Sequence, residues 1–254
     1  MKRRCLNSVE INRKHWEAIA KRNEPQKAEY LNLIRDDHQY LEKIEPKIFP
    51  YLQKIQGKRI IVPQFGDALV LLACARRGAN VTGVDLSREQ IRLAKKEAKY
   101  CHVKATLIEA DWQNLPESVP DNYYDLAVAE CGIFIWIEHL DAWMKSTHRV
   151  LKTNGKMIVT DFHPFNLITG QERGRIVVKR SYFCQGHPIN HLASDASEKN
   201  APQSAEFLWK LSDIINAAIE AGFQINRIEE FRVKQTAEAV SLVPTDFLLV
   251  ATKK

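Results

Sequence analysis

Ile60-Ile-Val-Pro-Gln-Phe-Gly-Asp-Ala68, then an apolar stretch to Arg77, then Val81-Thr-Gly-Val-Asp85: this succession decides how the chain is read. Residues 59–62 form a short β-branched run ended by a turn, the pattern of a buried strand. Residues 68–77 are apolar nearly all round, so they predict a helix covered on more than one side. Residues 81–84 predict a second strand, and Asp85 follows Gly66 by 19 residues. A strand, a glycine-containing turn, a buried helix and an acid about 20 residues on form a pattern in which backbone approaches a ligand closely and the acid takes ribose hydroxyls. Asp85 can also be read as a strand end or a cap for the next helix.

Working outward, the alternation continues. Residues 87–100 predict a helix, with Ser87 and Gln90 spaced as a capping box. Strands are expected at 105–108 and 124–129, a helix at 139–151, and a strand at 157–160 after the Asn154-Gly155 turn. Strands alternating with helices predict a parallel sheet covered on both faces. Residues 162–205 break the rhythm with Pro164, Gly170, Gly174, Gly186, Pro188 and Pro202, and are expected to form a cap insertion. A helix at 206–221 stopped by Gly222, then strands at 223–231 and 246–252 with no helix between them, predict an antiparallel hairpin at the sheet edge. Before the first strand, residues 8–56 are charged and helical in pattern. Trp16, Ile19, Tyr30, Leu33 and Leu41 supply an apolar side that must lie on something else. The expected organisation is an N-terminal helical cap segment, 1–57, and a domain, 58–254, carrying the insertion at about 162–205.

Composition narrows the class. Of 254 residues, 45% are apolar and 27% charged, and the longest apolar run, 68–75, is far short of a membrane span. Met1-Lys-Arg-Arg4 is followed by polar residues where a signal peptide needs an apolar stretch, so a cytoplasmic protein is expected. Five widely spaced cysteines predict reduced thiols and no disulfide framework. The net charge of +6 is spread along the chain among 31 acidic residues, which predicts a basic surface and no nucleic-acid partner.

Gly66-Asp67 after a strand, Arg77-Gly-Ala-Asn-Val-Thr-Gly-Val-Asp-Leu-Ser87, and Ala110-Asp111 after the third strand together resemble class I S-adenosylmethionine-dependent methyltransferases. Asn122-Tyr-Tyr-Asp-Leu-Ala-Val-Ala129 resembles that family's fourth strand, and His148-Arg-Val-Leu-Lys-Thr-Asn-Gly-Lys156 its lead into the fifth. Asp161-Phe-His-Pro-Phe165, Tyr182-Phe183 and Trp209-Lys-Leu-Ser-Asp-Ile-Ile-Asn216 resemble a small-molecule branch. The resemblance implies a Rossmann-like, doubly wound, mostly parallel seven-stranded sheet with an antiparallel edge strand. It implies S-adenosylmethionine as cofactor and a small-molecule acceptor.

Carried over by position, it puts Gln64, Phe65 and Gly66 at the cofactor's amino-acid end, Asp85 and Leu86 at the ribose, and Asp111 and Trp112 beside the adenine. Ala129 and Glu130, ending the fourth strand, would face the site. The family's turn has glycine at three alternating positions, which here read Gln64, Gly66 and Ala68. That departure motivates an alternative function, a non-methylating or cofactor-binding relative. A nucleic-acid methyltransferase is disfavoured because Ala129-Glu-Cys-Gly132 lacks an Asn/Asp-Pro-Pro-aromatic motif.

Methyl transfer needs in-line positioning more than acid–base chemistry. If a base is used, His163 and then Glu130 are the candidates, His163 being open to a purely structural reading. Cys184-x2-His187-x3-His191 has metal-ligand character but no evident fourth ligand, and is read as cap residues with no metal. Trp136, Trp143 and Trp209 are expected in packing roles, with Trp136 near enough to the fourth strand to border the substrate.

Overall fold

The computed structural model describes residues 8–20, 25–37, 39–173, 175–183, 203–232 and 242–254. Seven strands form one sheet: β1 (Arg59–Pro63), β2 (Asn80–Asp85), β3 (Thr106–Glu109), β4 (Tyr124–Glu130), β5 (Leu151–Phe162), β8 (Phe223–Phe231) and β9 (Asp246–Lys253), in the order β3-β2-β1-β4-β5-β9-β8. β1 to β5 are mutually parallel; β9 runs antiparallel between β5 and β8. The reversed strand therefore lies one place in from the edge. The short hairpin β6 (Thr169–Glu172) and β7 (Arg175–Val178) stands apart from this sheet.

Because side chains alternate across a strand, successive residues of β1 enter different cores. Ile60 and Val62 join Val81, Val128, Ile158 and Leu248 on one face, whereas Ile61 joins Val84, Ala127, Val159 and Leu249 on the other. The central strands are thus apolar on both sides, as burial in a parallel sheet requires. Helices complete the layers: α5 (Leu69–Arg76) packs into the first core, and α7 (Leu140–Val150) and α9 (Leu211–Glu220) into the second. α6 (Arg88–Tyr100) lines β2 and β3 through Ile91, Ala94 and Ala98.

The all-round apolarity of α5 has a direct cause. In the N-terminal segment α1 (Ser8–Ala20) packs on α6, and after α2 (Pro25–Asn32) a π-turn over Leu33–Asp37, α3 (Tyr40–Lys43) and α4 (Phe49–Leu52) cover the outer side of α5. Ile34, Tyr40, Leu41, Ile48 and Leu52 share one cluster with Leu69, Leu71 and Leu72.

Two elements differ from the sequence reading. β5 begins at Leu151, because residues 152–155 bulge out of the ladder between the Tyr124–Leu151 and Leu126–Lys156 pairs. Asn154 has φ +65° there, and a Cβ on Gly155 would lie 2.8 Å from the Lys152 carbonyl oxygen. α9 starts at Leu211 instead of residue 206. Phe207 is fully buried in an extended segment whose N–H donates to the Ile135 carbonyl at 2.7 Å, so tertiary packing claims the turn that periodicity assigned to the helix. Among the described residues, no helix is long and apolar enough to cross a membrane.

Candidate active site

The turn from β1 into α5 carries the first feature of the site. Gln64, Gly66 and Ala68 have φ of +48°, +51° and +63°, alternating along five residues. The three positions that glycine occupies in the resembled family keep a positive φ here although two of them carry side chains. Such a conformation costs an L-residue about 1–2 kcal/mol. At Gln64 a compensation is visible: the buried Trp143 indole N–H donates to Gln64 Oε1 at 2.6 Å, a bond of the order of 1 kcal/mol net. At Ala68 the turn closes through its N–H to the Phe65 carbonyl, 2.8 Å, and Asp67 Oδ1 accepts the Leu69 N–H at 3.1 Å. Phe65 packs over Gly83 of β2, where a Cβ would lie 2.6 Å from the ring.

Asp85 ends β2 directly beside this turn. Its Oδ2 accepts the Gly66 N–H at 3.0 Å and its Oδ1 the Ser87 N–H at 2.9 Å. The cap of α6 is Ser87, whose hydroxyl accepts the Gln90 N–H at 3.2 Å, so Asp85 holds the loops instead of capping the helix itself. A carboxylate has about four acceptor sites, so these backbone donors do not use all of them. Burial pushes the Asp85 carboxyl up to about 6, opposed by the backbone N–H groups of Ser87, Gly66 and Leu86. After β3, Asp111 caps a 3-10 turn, Trp112–Asn114, by accepting the Gln113 N–H at 3.0 Å. Trp112 is buried, its indole N–H donating to Thr147 Oγ1 at 3.0 Å, and Thr147 in turn donates to the Trp143 carbonyl.

The third element is the end of β4. Glu130 is followed by Cys131 and Gly132 with φ +60° and +78°. Asp161 of β5 shapes this connection: its carboxylate accepts N–H groups from Gly132 (2.6 Å), Phe162 (2.7 Å) and Phe134 (2.8 Å). Burial holds the Asp161 carboxyl up at about 6 against those donors. Burial, and then the negative charges of Glu45, Asp67 and Asp161, push the Glu130 carboxyl well above the ordinary carboxylate range.

These three elements surround one cavity of about 740 Å³. That is ample for a nucleotide-sized ligand, since small-molecule sites run from roughly 300 to 1,000 Å³. Gln64, Phe65, Gly66, Asp85, Leu86, Asp111, Trp112 and Glu130 all line it, with Asp67, Gln90 and Gln113 beside them. Ala129 lies beneath, buried in the second core and outside the lining. His163 is not part of the wall: its Nδ1 accepts the Phe165 N–H at 3.1 Å, its Nε2 sits 2.8 Å from Glu230 Oε1, and its backbone N–H donates to Thr245. Burial lowers the His163 imidazole below its ordinary value despite Glu230. Trp136 lines the cavity, Trp143 supports it from the core, and Trp209 donates its indole N–H to the Ile137 carbonyl. Residues 184, 187 and 191 lie outside the described residues.

The roof comes from the N-terminal segment. Val9, Asn12, Trp16, Ile19 and Ala20 of α1 and Lys27, Ala28 and Leu31 of α2 complete the lining. Trp16 packs edge-on against Trp136, with centroids 5.3 Å apart. Asn12 clamps α1 to the strand-like segment before α9: its amide donates to the Ala205 carbonyl at 2.9 Å and accepts the Ala205 N–H at 2.8 Å. Ser8 donates to Glu138 across the same gap. Sequence reasoning missed Asn12, Asp161 and Gly83 as site-shaping residues. Asn12 gives no local signal, because its partner is 193 residues away.

A family profile described as a methyltransferase domain matches residues 64–155, which run from the first residue of the β1 turn into β5. The matched stretch is thus similar to a methyltransferase domain and spans both the β1 turn and the end of β4. An uncharacterized protein of Haemophilus influenzae is 25% identical over 194 residues, 73% of this chain and 75% of the relative. A ubiquinone/menaquinone biosynthesis C-methyltransferase of Syntrophotalea carbinolica is 29% identical over 164 residues, 63% of this chain and 65% of the relative. In fold, the chain resembles the crystal structure of an S-adenosylmethionine-dependent methyltransferase from Mesorhizobium loti. The TM-score is 0.66 at 20% identity, over 87% of this chain and 100% of that one.

The cavity fits S-adenosylmethionine on its own chemistry. Its wall offers a positive-φ turn, a strand-end carboxylate with acceptor capacity left over, and the acids Asp67 and Glu130 suited to a cationic ligand.

Proposed function

We propose that the methyltransferase domain acts on a small, apolar aromatic acceptor bearing an ionisable hydroxyl. The observation that carries this reading is that one cavity joins Asp85 and the β1 turn to an apolar wall of Val9, Trp16, Ile133 and Trp136, with Glu130 in the same lining. The name of the Syntrophotalea carbinolica relative, a C-methyltransferase of quinone biosynthesis, supports a hydroxyl-bearing ring. Within this reading, residues 1–57 are the cap of the domain formed by 58–254.

S-adenosylmethionine, when bound, supplies a methyl group already activated by its sulfonium. In this proposal Gly66, with Gln64 and Phe65 shaping the turn, and Asp67 and Glu130 receive its charged amino-acid end. Asp85 and Leu86 take the ribose, Asp111 and Trp112 border the adenine, and Ala129 supports Glu130 from below. What remains for the chain is positioning and exclusion of water, which the α1 roof provides. Glu130 is the general base: burial raises its proton affinity above that of an ordinary carboxylate, so once ionised it takes a proton more readily. His163 stays with Glu230 as a structural group.

The test is incubation with methyl-labelled S-adenosylmethionine and parallel panels of hydroquinones, simple phenols and aliphatic amines. Label in the hydroquinone or phenol products is expected. Label confined to amines, or to none of them while the cofactor is bound, overturns the acceptor class.

A further inference from the structure

We propose that the Gln64–Trp143 hydrogen bond does the work of the missing first glycine, making Trp143, a core residue of α7, a positioning residue for the cofactor. The inference rests on the cavity being the cofactor site. Glycine reaches a positive φ freely, whereas a residue with a Cβ must be held there. Gln64 has φ +48° and lines the cavity, yet its side-chain oxygen is directed to the Trp143 indole N–H at 2.6 Å. An indole nitrogen only donates, so the contact has one sense, with the amide oxygen as acceptor.

The pin also links two walls. Trp143 is fully buried; its ring lies 5.2 Å from Phe134 and 6.3 Å from Trp112, centroid to centroid, so it has little room to follow a moving loop. Its carbonyl accepts from Thr147, whose hydroxyl oxygen accepts the Trp112 indole N–H. The β1 turn and Trp112, both in the cavity lining, are therefore referenced to the same two residues of α7. No such arrangement is needed where all three turn positions are glycine; it belongs to this chain's departure from that pattern.

The experiment is calorimetric titration of S-adenosylhomocysteine into the full chain and four variants: Gln64→Ala, Gln64→Gly, Trp143→Phe and Gln64→Gly/Trp143→Phe. Gln64→Ala keeps the conformational penalty and loses the pin, so its affinity drops about tenfold, whereas Gln64→Gly stays within about threefold of the parent. Trp143→Phe lowers affinity about tenfold in the Gln64 parent and leaves Gln64→Gly nearly unchanged. The Trp143 indole N–H resonance, followed in nitrogen-labelled protein, shifts upfield in Gln64→Gly. Equal affinities for Gln64→Ala and Gln64→Gly overturn the proposal, as does the same loss from Trp143→Phe in both backgrounds. If Trp143→Phe does not fold, the Ala-versus-Gly contrast decides alone. Failure of the unmodified chain to bind S-adenosylhomocysteine refutes the cofactor-site reading itself, a result distinct from either.

Discussion

Gly83→Ala tests how the second strand shapes the first turn. A Cβ at Gly83 would stand 2.6 Å from Phe65 Cδ1, 2.9 Å from Leu71 Cδ1 and 3.1 Å from Phe65 Cε1. Carbon atoms in contact prefer about 3.5–4.0 Å, so the Phe65 ring must retreat by roughly 1 Å. The retreat is resisted, because Phe65 is buried and its neighbours Gln64 and Gly66 are tied to Trp143 and Asp85. Overpacking of this kind costs about 1–3 kcal/mol, and each kcal/mol moves the Tm of a chain this size by about 2–4 °C. The expected result is a Tm lower by about 2–12 °C together with weaker binding of S-adenosylhomocysteine, read by thermal melting and titration. Adding Phe65→Leu, which removes the ring atoms in conflict, restores much of the Tm. A Gly83→Ala protein that melts within 1 °C of the parent and binds equally well would refute the argument that ring and turn are rigidly packed.

The remaining predictions concern charge, the roof and the loop after β4. Because burial holds Asp85 at about 6, it is ionised roughly ten to one at pH 7 and mostly protonated below pH 6. Affinity for S-adenosylhomocysteine is therefore flat above about pH 7 and falls about tenfold per unit below about pH 6. Titration across pH checks this, and the same slope persisting in Asp85→Asn would exclude Asp85 as its source. Glu130→Gln weakens S-adenosylhomocysteine binding and also slows turnover at saturating cofactor by about 10²- to 10⁴-fold, measured as kcat once an acceptor is found. Asn12→Ala removes both bonds to Ala205 and speeds S-adenosylhomocysteine dissociation by about tenfold in stopped flow; an unchanged rate shows that α1 does not limit escape. Asp161→Ala leaves three backbone N–H groups without their carboxylate and destabilises by about 2–4 kcal/mol, seen as a lower denaturation midpoint in urea.

The strands were legible because β-branched runs such as Ile60-Ile-Val62 and Val81-Thr-Gly-Val84 are short, apolar and bounded by turns. Both faces of those strands are buried, which makes the signal continuous. Where the reading slipped, a partner distant in sequence had overridden a local preference: Phe207 follows Ile135 instead of starting α9. In the site, Gly66, Asp85 and Asp111 all line the cavity; Gly66 and Asp85 could be singled out from their spacing along alternating elements, and Asp111 only through the resemblance. The shape of the turn could not, because Gln64 and Ala68 report helix or strand preferences and not a positive φ imposed by Trp143 and Phe65. His163 follows the fifth strand in sequence, but the insertion of β9 beside β5 turns it toward Thr245 and Glu230.

The clamp between Asn12 and Ala205 also has a consequence for synthesis. With 193 positions between the two residues and translation at about 5–20 residues per second, α1 waits roughly 10–40 s for its anchor to be made. During that interval strands β1 to β5 have all left the ribosome while the cavity has no fixed roof. A nascent chain can therefore meet its cofactor before it can enclose it.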